Sequence, residues 1–104
     1  MDQPSSSDQR YRTVFCVDPD HPCLPGHFPG QPLVPGVLLL ELVAKALRAW
    51  RNQRIARVLE AKFVAPLYPG EQAELQLGEK AGRVRFEILR DSQVLARGVI
   101  EGAT

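Results

Sequence analysis

The spacing of hydrophobic and polar residues predicts one strand, then one helix, then four more strands. At residues 11–17, the segment YRTVFCV alternates and is rich in β-branched and aromatic residues, which is typical of a strand. One face of that strand carries Tyr11, Thr13, Phe15 and Val17. Four later segments have strand composition, with alternation clearest in the middle two. These segments are residues 55–64, 73–77, 83–89 and 94–100.

The helix is predicted at residues 36–50, GVLLLELVAKALRAW, which contains no proline and is rich in leucine and alanine, both strong helix formers. At 100° per residue, Glu41, Lys45 and Arg48 share a narrow stripe, and nearly every other position is apolar. Burying each large aliphatic side chain contributes roughly 1.5 to 3 kcal/mol. We therefore expect protein to surround this helix.

Turn signals separate the later strands and decide how they pair. They lie at residues 68–70, 80–82 and 90–92, and the last two are short enough for antiparallel hairpins. No second helix is available to build parallel crossovers. The sequence therefore predicts an α+β fold, with one long helix wrapped by a curved antiparallel sheet in a single domain at residues 11–104.

Composition narrows the class of protein. With 104 residues and 44% hydrophobic content, the chain can form one compact domain, although oligomerisation would help so small a core. Thirteen basic and twelve acidic residues give a net charge of +1, which favours neither nucleic acid nor a membrane surface as partner. The longest apolar run, residues 37–40, is too short to span a bilayer.

The N-terminal residues and the cysteines point to a cytoplasmic protein. Residues 1–10, MDQPSSSDQR, are polar, which predicts a disordered tail and no signal peptide. Cys16 and Cys23 are not in a CxxC spacing, so reduced thiols are expected.

Six of the nine prolines of the chain lie between Pro19 and Pro35, and they predict a loop of stiff geometry because each ring fixes φ. This loop contains His27 and leads directly into the helix that carries Glu41. The combined stretch, residues 26–41, reads GHFPGQPLVPGVLLLE.

The segment HFPGQPLVPGVL at residues 27–38, followed by Glu41, resembles the signature of the hot-dog-fold 3-hydroxyacyl-[acyl-carrier-protein] dehydratases of the FabZ and FabA type. The resemblance continues in Lys62-Phe63, in Pro66 and in YPGE at residues 68–71, and it covers roughly residues 11–101. It implies a long helix wrapped by an antiparallel sheet, as the hydrophobic pattern also predicts.

The resemblance implies dehydration of a 3-hydroxyacyl thioester, held on an acyl carrier protein, to the trans-2-enoyl thioester, without a metal or redox cofactor. His27 matches the base that removes the C2 proton, and Glu41 matches the carboxylate that protonates or positions the departing hydroxyl. In the family these two groups meet across a dimer interface. The amide of Gly36 is implied to bind the thioester carbonyl, and Phe28 and Val37 are further candidates for substrate contact.

These roles agree with the chemistry of the side chains. Histidine near its ordinary pKa is a suitable base at neutral pH. Exposed amides at the positive end of a helix suit a developing enolate oxygen. A rival interpretation makes Glu41 the partner of Lys45 in an i, i+4 ion pair. Lys45 also departs from the E-A-x-A-Q pattern of the family, and a cation there favours the ionised carboxylate, so proton donation and hydroxyl positioning both stay open.

Two further features of the sequence bear on partners. His21, Cys23 and His27 lack a fourth ligand at a known zinc-site spacing, so we expect no metal. Residues 45–62 contain six basic residues against one acidic, which indicates either cations that complement a helix end or a surface that docks an acidic carrier protein. The candidate docking residues are Lys45, Arg48, Arg51 and Arg54.

Two other functions remain possible at this point. A non-catalytic hot-dog subunit would bind an acyl thioester in support of a partner enzyme. A hot-dog thioesterase would need a water-activating carboxylate but not the histidine. The short N-terminal segment is similar to the stand-alone dehydratases of aryl-polyene and related pigment pathways.

Overall fold

The computed structural model describes residues 10–20 and 33–104, in which one helix and five strands form. Every predicted element is present, with ends that differ from the prediction by three residues at most. The elements are β1 Arg10–Cys16, α1 Gly36–Arg51, β2 Arg54–Phe63, β3 Gln72–Lys80, β4 Arg83–Arg90 and β5 Gln93–Ala103.

The five strands form one antiparallel sheet in the order β1-β3-β4-β5-β2, as predicted. The two hairpins have tight turns in which both central residues adopt positive φ. These are Ala81 and Gly82 between β3 and β4, and Asp91 and Ser92 between β4 and β5. Such turns match the twist of the strands. The order leaves β1 and β2 as the edges of the sheet.

The irregular pairing of strand β2 explains why hydrophobic and polar residues alternate poorly in its sequence. Its pairing with β5 shifts register between Ile55 and Arg57 and again between Val58 and Glu60. Each irregularity breaks the period of two, because an extra residue moves the following side chains to the other face. Strand β3 runs past its last predicted residue, Leu77, to Lys80, because pairing with β4 overrides the weak strand propensity there.

Helix α1 packs on the inner face of the sheet and contacts both edge strands, β1 and β2, as well as β3. The sheet therefore curls around the helix. The buried helix residues are Leu38, Leu39, Val43, Ala46 and Leu47. From the sheet, buried side chains that include Leu75, Phe86, Ile88 and Ile100 complete the core.

The prediction that protein surrounds the helix is wrong for the single chain. One stripe of α1 is exposed, and it consists of Val37, Glu41, Lys45, Arg48 and Ala49. Val37 is 67% exposed although it is apolar. A five-stranded sheet curled around one helix leaves this side of the helix uncovered.

Candidate active site

The predicted base lies outside the described residues. His27 and Phe28 both fall within residues 21–32, as do His21 and Cys23. The role of His27 and its approach to Glu41 therefore stay predictions. Cys16, at the end of β1, is an exposed free thiol.

The start of α1 presents two backbone donors. Pro35 precedes the helix with φ −64° and no side-chain cap. The first turn closes when the N–H groups of Leu38 and Leu39 donate to the carbonyl of Pro35, at 3.0 and 3.2 Å. No hydrogen bond among the described residues uses the N–H of Gly36 or Val37, as is normal for a helix start. These amides lie at the positive end of the helix dipole, where a developing negative charge is stabilised.

Phe63 lies against Gly36. A Cβ on Gly36 would come within 3.0 Å of the ring's Cζ and 3.2 Å of Cε1 and Cε2. The ring is nevertheless 49% exposed, so it covers one side of the helix start and leaves its other side to solvent. The sequence placed Phe63 in the family-like Lys62-Phe63 pair but gave it no role. The close approach requires both a glycine on the helix and the end of β2 beside it.

Glu41 lies on the exposed stripe of α1, one turn beyond Val37. Among residues 10–20 and 33–104, it forms neither an ion pair nor a hydrogen bond. The rival interpretation, an ion pair with Lys45, is therefore wrong for the described chain. Four other carboxylates of the described chain are paired with arginines, namely Glu71, Glu74, Glu79 and Glu101. Glu41 is thus an accessible carboxylate on the same side of α1 as Val37, which lies in the first turn of the helix.

The four candidate docking residues differ in how available they are. Lys45, Arg48 and Arg54 are exposed, and no ion pair in the described part of the chain engages them. Arg51 is engaged within the fold, because its guanidinium stacks 4.0 Å from the centroid of Trp50 and pairs with Glu79 at 2.5 Å. Arg51 thereby ties the end of the helix to β3.

Two shallow depressions, of about 560 Å³ and about 640 Å³, lie on the outer face of the sheet beside β3. Their linings contain several charged side chains and none of the predicted site residues, which does not suit an acyl chain. Within the described ranges, no three histidine, cysteine or acidic side chains cluster as metal ligands would. The described residues contain no helix long and apolar enough to cross a membrane.

Sequence comparisons place these features among known proteins. The family model described as ApeI-like, ApeI dehydratase, matches residues 3–99. The 3-hydroxyacyl-[acyl-carrier-protein] dehydratase FabZ of Haemophilus influenzae is 38% identical over 76 residues, which are 64% of this chain and 51% of that protein. FabZ of Mannheimia succiniciproducens is 39% identical over 69 residues, which are 57% of this chain and 46% of that protein. The chain thus spans about half the length of the curated relatives it matches.

Comparison of the fold with solved structures agrees with these sequence matches. The dehydratase heterocomplex ApeI:P from Xenorhabdus doucetiae superposes with a TM-score of 0.83, at 24% identity, over 99% of this chain and 93% of that chain. An uncharacterized protein from Erwinia carotovora subsp. atroseptica gives 0.76 at 28% identity, over 90% and 82% of the two chains. A mutant of the fluoroacetyl-CoA-specific thioesterase FlK gives 0.67 at 15% identity, over 91% and 84%. With its helix, its curled antiparallel sheet and the match over residues 3–99, this chain belongs to the ApeI-like family of hot-dog dehydratases.

Proposed function

We propose that the protein dehydrates a 3-hydroxyacyl thioester carried on acyl carrier protein to the trans-2-enoyl thioester. The observation that carries this proposal is Glu41, an exposed carboxylate one turn from the amides of the helix start, where neither the carboxylate nor the amides have a partner among residues 10–20 and 33–104. A carboxylate in that place can donate a proton to the hydroxyl at C3 or position it, while the amides bind the carbonyl oxygen at C1. The FabZ relatives support the same chemistry.

The reaction breaks the C2–H and C3–O bonds and forms the second bond between C2 and C3 and one O–H bond of water. His27 takes the C2 proton, the electron pair forms the double bond, and the hydroxyl leaves C3 as water. Glu41 donates a proton to that hydroxyl. The amide of Gly36 holds the thioester oxygen, on which negative charge develops as the proton departs. No electrons are gained or lost overall, so that the mechanism requires no redox partner.

The active assembly in this proposal is a homodimer in which His27 of one protomer meets Glu41 of its partner. Support comes from the apolar side chains left exposed near the edge strand β2 and the helix start, which a second chain would cover. They are Val37, Val58, Phe63 and Val64. Because one structural relative is described as a dehydratase heterocomplex, the competing possibility is a partner of different sequence. A purified chain that is monomeric and inactive until such a partner is added would contradict the homodimer.

The test of function is to supply 3-hydroxyacyl thioesters of several chain lengths and follow the conjugated enoyl product by its absorbance. The likeness to short dehydratases of pigment pathways makes an unsaturated acyl chain the first substrate to try. Release of free thiol without enoyl product would instead identify a thioesterase, a class that shares this fold. Binding of the thioester with no turnover at any chain length would leave the non-catalytic subunit.

Charge reversal tests the docking surface. We expect Arg48→Glu combined with Arg54→Glu to raise KM for the carrier-bound substrate by about tenfold at low ionic strength, and by less in high salt, because electrostatic steering of an acidic partner is lost. A short thioester without the carrier protein should show no such rise.

The matched control is Lys80→Glu, which changes an exposed cation at the β3–β4 turn. Arg51 is unsuitable, because reversing its charge would set it against Glu79. An equal rise in KM for both substrates, or an equal effect of Lys80→Glu, would mean that the basic residues complement the helix end and do not dock a partner.

A further inference from the structure

Arg90, the last residue of β4, holds the connection between β2 and β3. Its Nη1 donates to the carbonyl of Pro66 at 3.2 Å and to Oε1 of Glu71 at 2.7 Å. The same Oε1 accepts the N–H of Tyr68 at 3.0 Å. Arg90 therefore fixes the backbone on both sides of Leu67, directly on one side and through Glu71 on the other.

Leu67 links this connection to the start of α1. Its side chain is 1% exposed within the core, and its carbonyl accepts the N–H of Val34 at 2.9 Å. Only Pro35 stands between Val34 and Gly36, and the proline ring restricts φ. A displacement of the Leu67 carbonyl would therefore be transmitted to the amide of Gly36.

The connection is anchored at both ends by backbone hydrogen bonds. The N–H groups of Val64 and Ala65 donate to the carbonyl of Leu95, at 2.7 and 3.2 Å, and the N–H of Gly70 donates to Val17 at 2.8 Å. Between these anchors, Arg90 fixes the backbone around Leu67, and its side chain is only 22% exposed.

The Arg90–Glu71 pair is charged at neutral pH. The hydrogen bond from the Tyr68 backbone and the hydrogen bond from Arg90 both lower the pKa of Glu71. Hydrogen bonds between ionised groups are shorter and stronger than neutral ones, so this pair suits the task of holding a backbone segment in one place.

We propose that Arg90 is a positioning residue for the amide of Gly36. It acts through the segment Pro66–Glu71 and does not touch the substrate. This inference rests on the proposed function, in which the Gly36 amide stabilises charge that develops on the thioester oxygen. Loss of Arg90 should therefore weaken binding of the transition state more than binding of the substrate.

The experiment compares Arg90→Ala, Arg90→Lys and Glu71→Gln with a matched control, Arg83→Ala. Arg83 lies on the same strand and forms an ion pair with Glu101 at 3.5 Å, remote in sequence from the β2–β3 connection. For Arg90→Ala, we expect kcat on a short 3-hydroxyacyl thioester to fall by about tenfold with KM nearly unchanged, because a small misplacement of a catalytic group is costly.

Amide hydrogen exchange supplies a readout that needs no turnover. The amide of Val34 should exchange about tenfold faster in Arg90→Ala, as expected when a local opening becomes easier, while the amides of β4 and β5 exchange as before. Arg90→Lys should give intermediate values, because lysine keeps the charge but lacks the rigid, planar guanidinium that holds Nη1 between its two acceptors. Arg83→Ala should change neither kcat nor the exchange of Val34.

Each outcome bears on the proposal. Unchanged exchange at Val34 in folded Arg90→Ala protein would overturn it, and so would faster exchange with an unchanged kcat, which would give Arg90 a purely stabilising role. If Arg90→Ala does not fold, Arg90→Lys and Glu71→Gln carry the same comparison. A wild-type protein that turns over no 3-hydroxyacyl thioester would contradict the proposed function, while the exchange data would still decide whether Arg90 positions the helix start.

Discussion

Glu41→Gln should lower kcat for dehydration of a 3-hydroxyacyl thioester by a factor of about 10² to 10⁴, the usual contribution of a general acid or base. Glutamine keeps the size and one acceptor oxygen of glutamate but cannot release a proton. Glu41 is exposed and forms no ion pair or hydrogen bond among the described residues, so its replacement should leave stability nearly unchanged. Steady-state kinetics and thermal unfolding of the same preparation would check both expectations.

The pH dependence of kcat separates the two roles that the sequence left open for Glu41. A proton donor must be protonated when the hydroxyl leaves, so kcat should fall at high pH. A carboxylate that only positions the hydroxyl need not be protonated, so kcat would show no such high-pH decline, while a decline at low pH is expected in either case because the base His27 must be neutral. The proposed proton transfer requires the donor's profile, a high-pH decline of kcat that Glu41→Gln lacks, and a wild-type protein without that decline would leave Glu41 only the positioning role.

Glu87→Gln is the matched control, because Glu87 lies on β4 and belongs to no proposed site. It should retain the wild-type kcat. Wild-type turnover by Glu41→Gln would remove Glu41 from the mechanism. A loss of activity that follows a loss of folded protein would assign Glu41 a structural role, which its exposure argues against.

Mixed dimers test whether the site is shared between protomers. His27→Ala and Glu41→Gln should each be inactive alone. In a mixed dimer, one of the two sites keeps both His27 and Glu41, so that random exchange of the two variants should restore about a quarter of the wild-type activity, as expected for a two-fold symmetric dimer. No recovery in protein shown to exchange subunits would place both residues in one protomer.

Local sequence signals predicted the fold well. Turn residues at 80–82 and 90–92 placed the hairpins, and Pro35-Gly36 placed the start of the helix within one residue. These features depend on backbone preferences that each residue carries with it. The irregular pairing of β2 was missed, because it depends on contacts with β5 far along the chain.

Long-range contacts also explain which features of the candidate site the sequence did not predict. Arg51 looked like a docking cation, but its position beside Trp50 and Glu79 is set by how the helix end meets β1 and β3. Arg90 carried no signal at all, because its acceptors lie 19 and 24 residues away in sequence. The sequence singled out Glu41 because a lone carboxylate on an apolar helix is informative by itself, and its role in a site stays a prediction.

Gly98→Ala should destabilise the fold by about 3 kcal/mol or more, at the upper end of the cost of overpacking a core. Gly98 lies on β5, opposite Phe86 on β4 and Ala61 on β2. A Cβ there would come within 2.5 Å of Cε2 of Phe86 and still closer to the backbone carbonyl of Glu60. The backbone of a paired strand cannot move aside as a flexible side chain can. Urea unfolding monitored by circular dichroism would measure the loss.

Gly102→Ala is the matched control on the same strand. Its Cβ would meet chiefly the end of the Gln53 side chain, at 2.6 Å from Oε1, which can rotate away, so the cost should be well under that of Gly98→Ala. Adding Phe86→Leu to Gly98→Ala should recover only part of the stability, because the contact with Glu60 remains. Full recovery would assign the whole requirement for glycine to the Phe86 ring, and equal losses at Gly98 and Gly102 would mean that any side chain on this face of β5 disturbs the sheet.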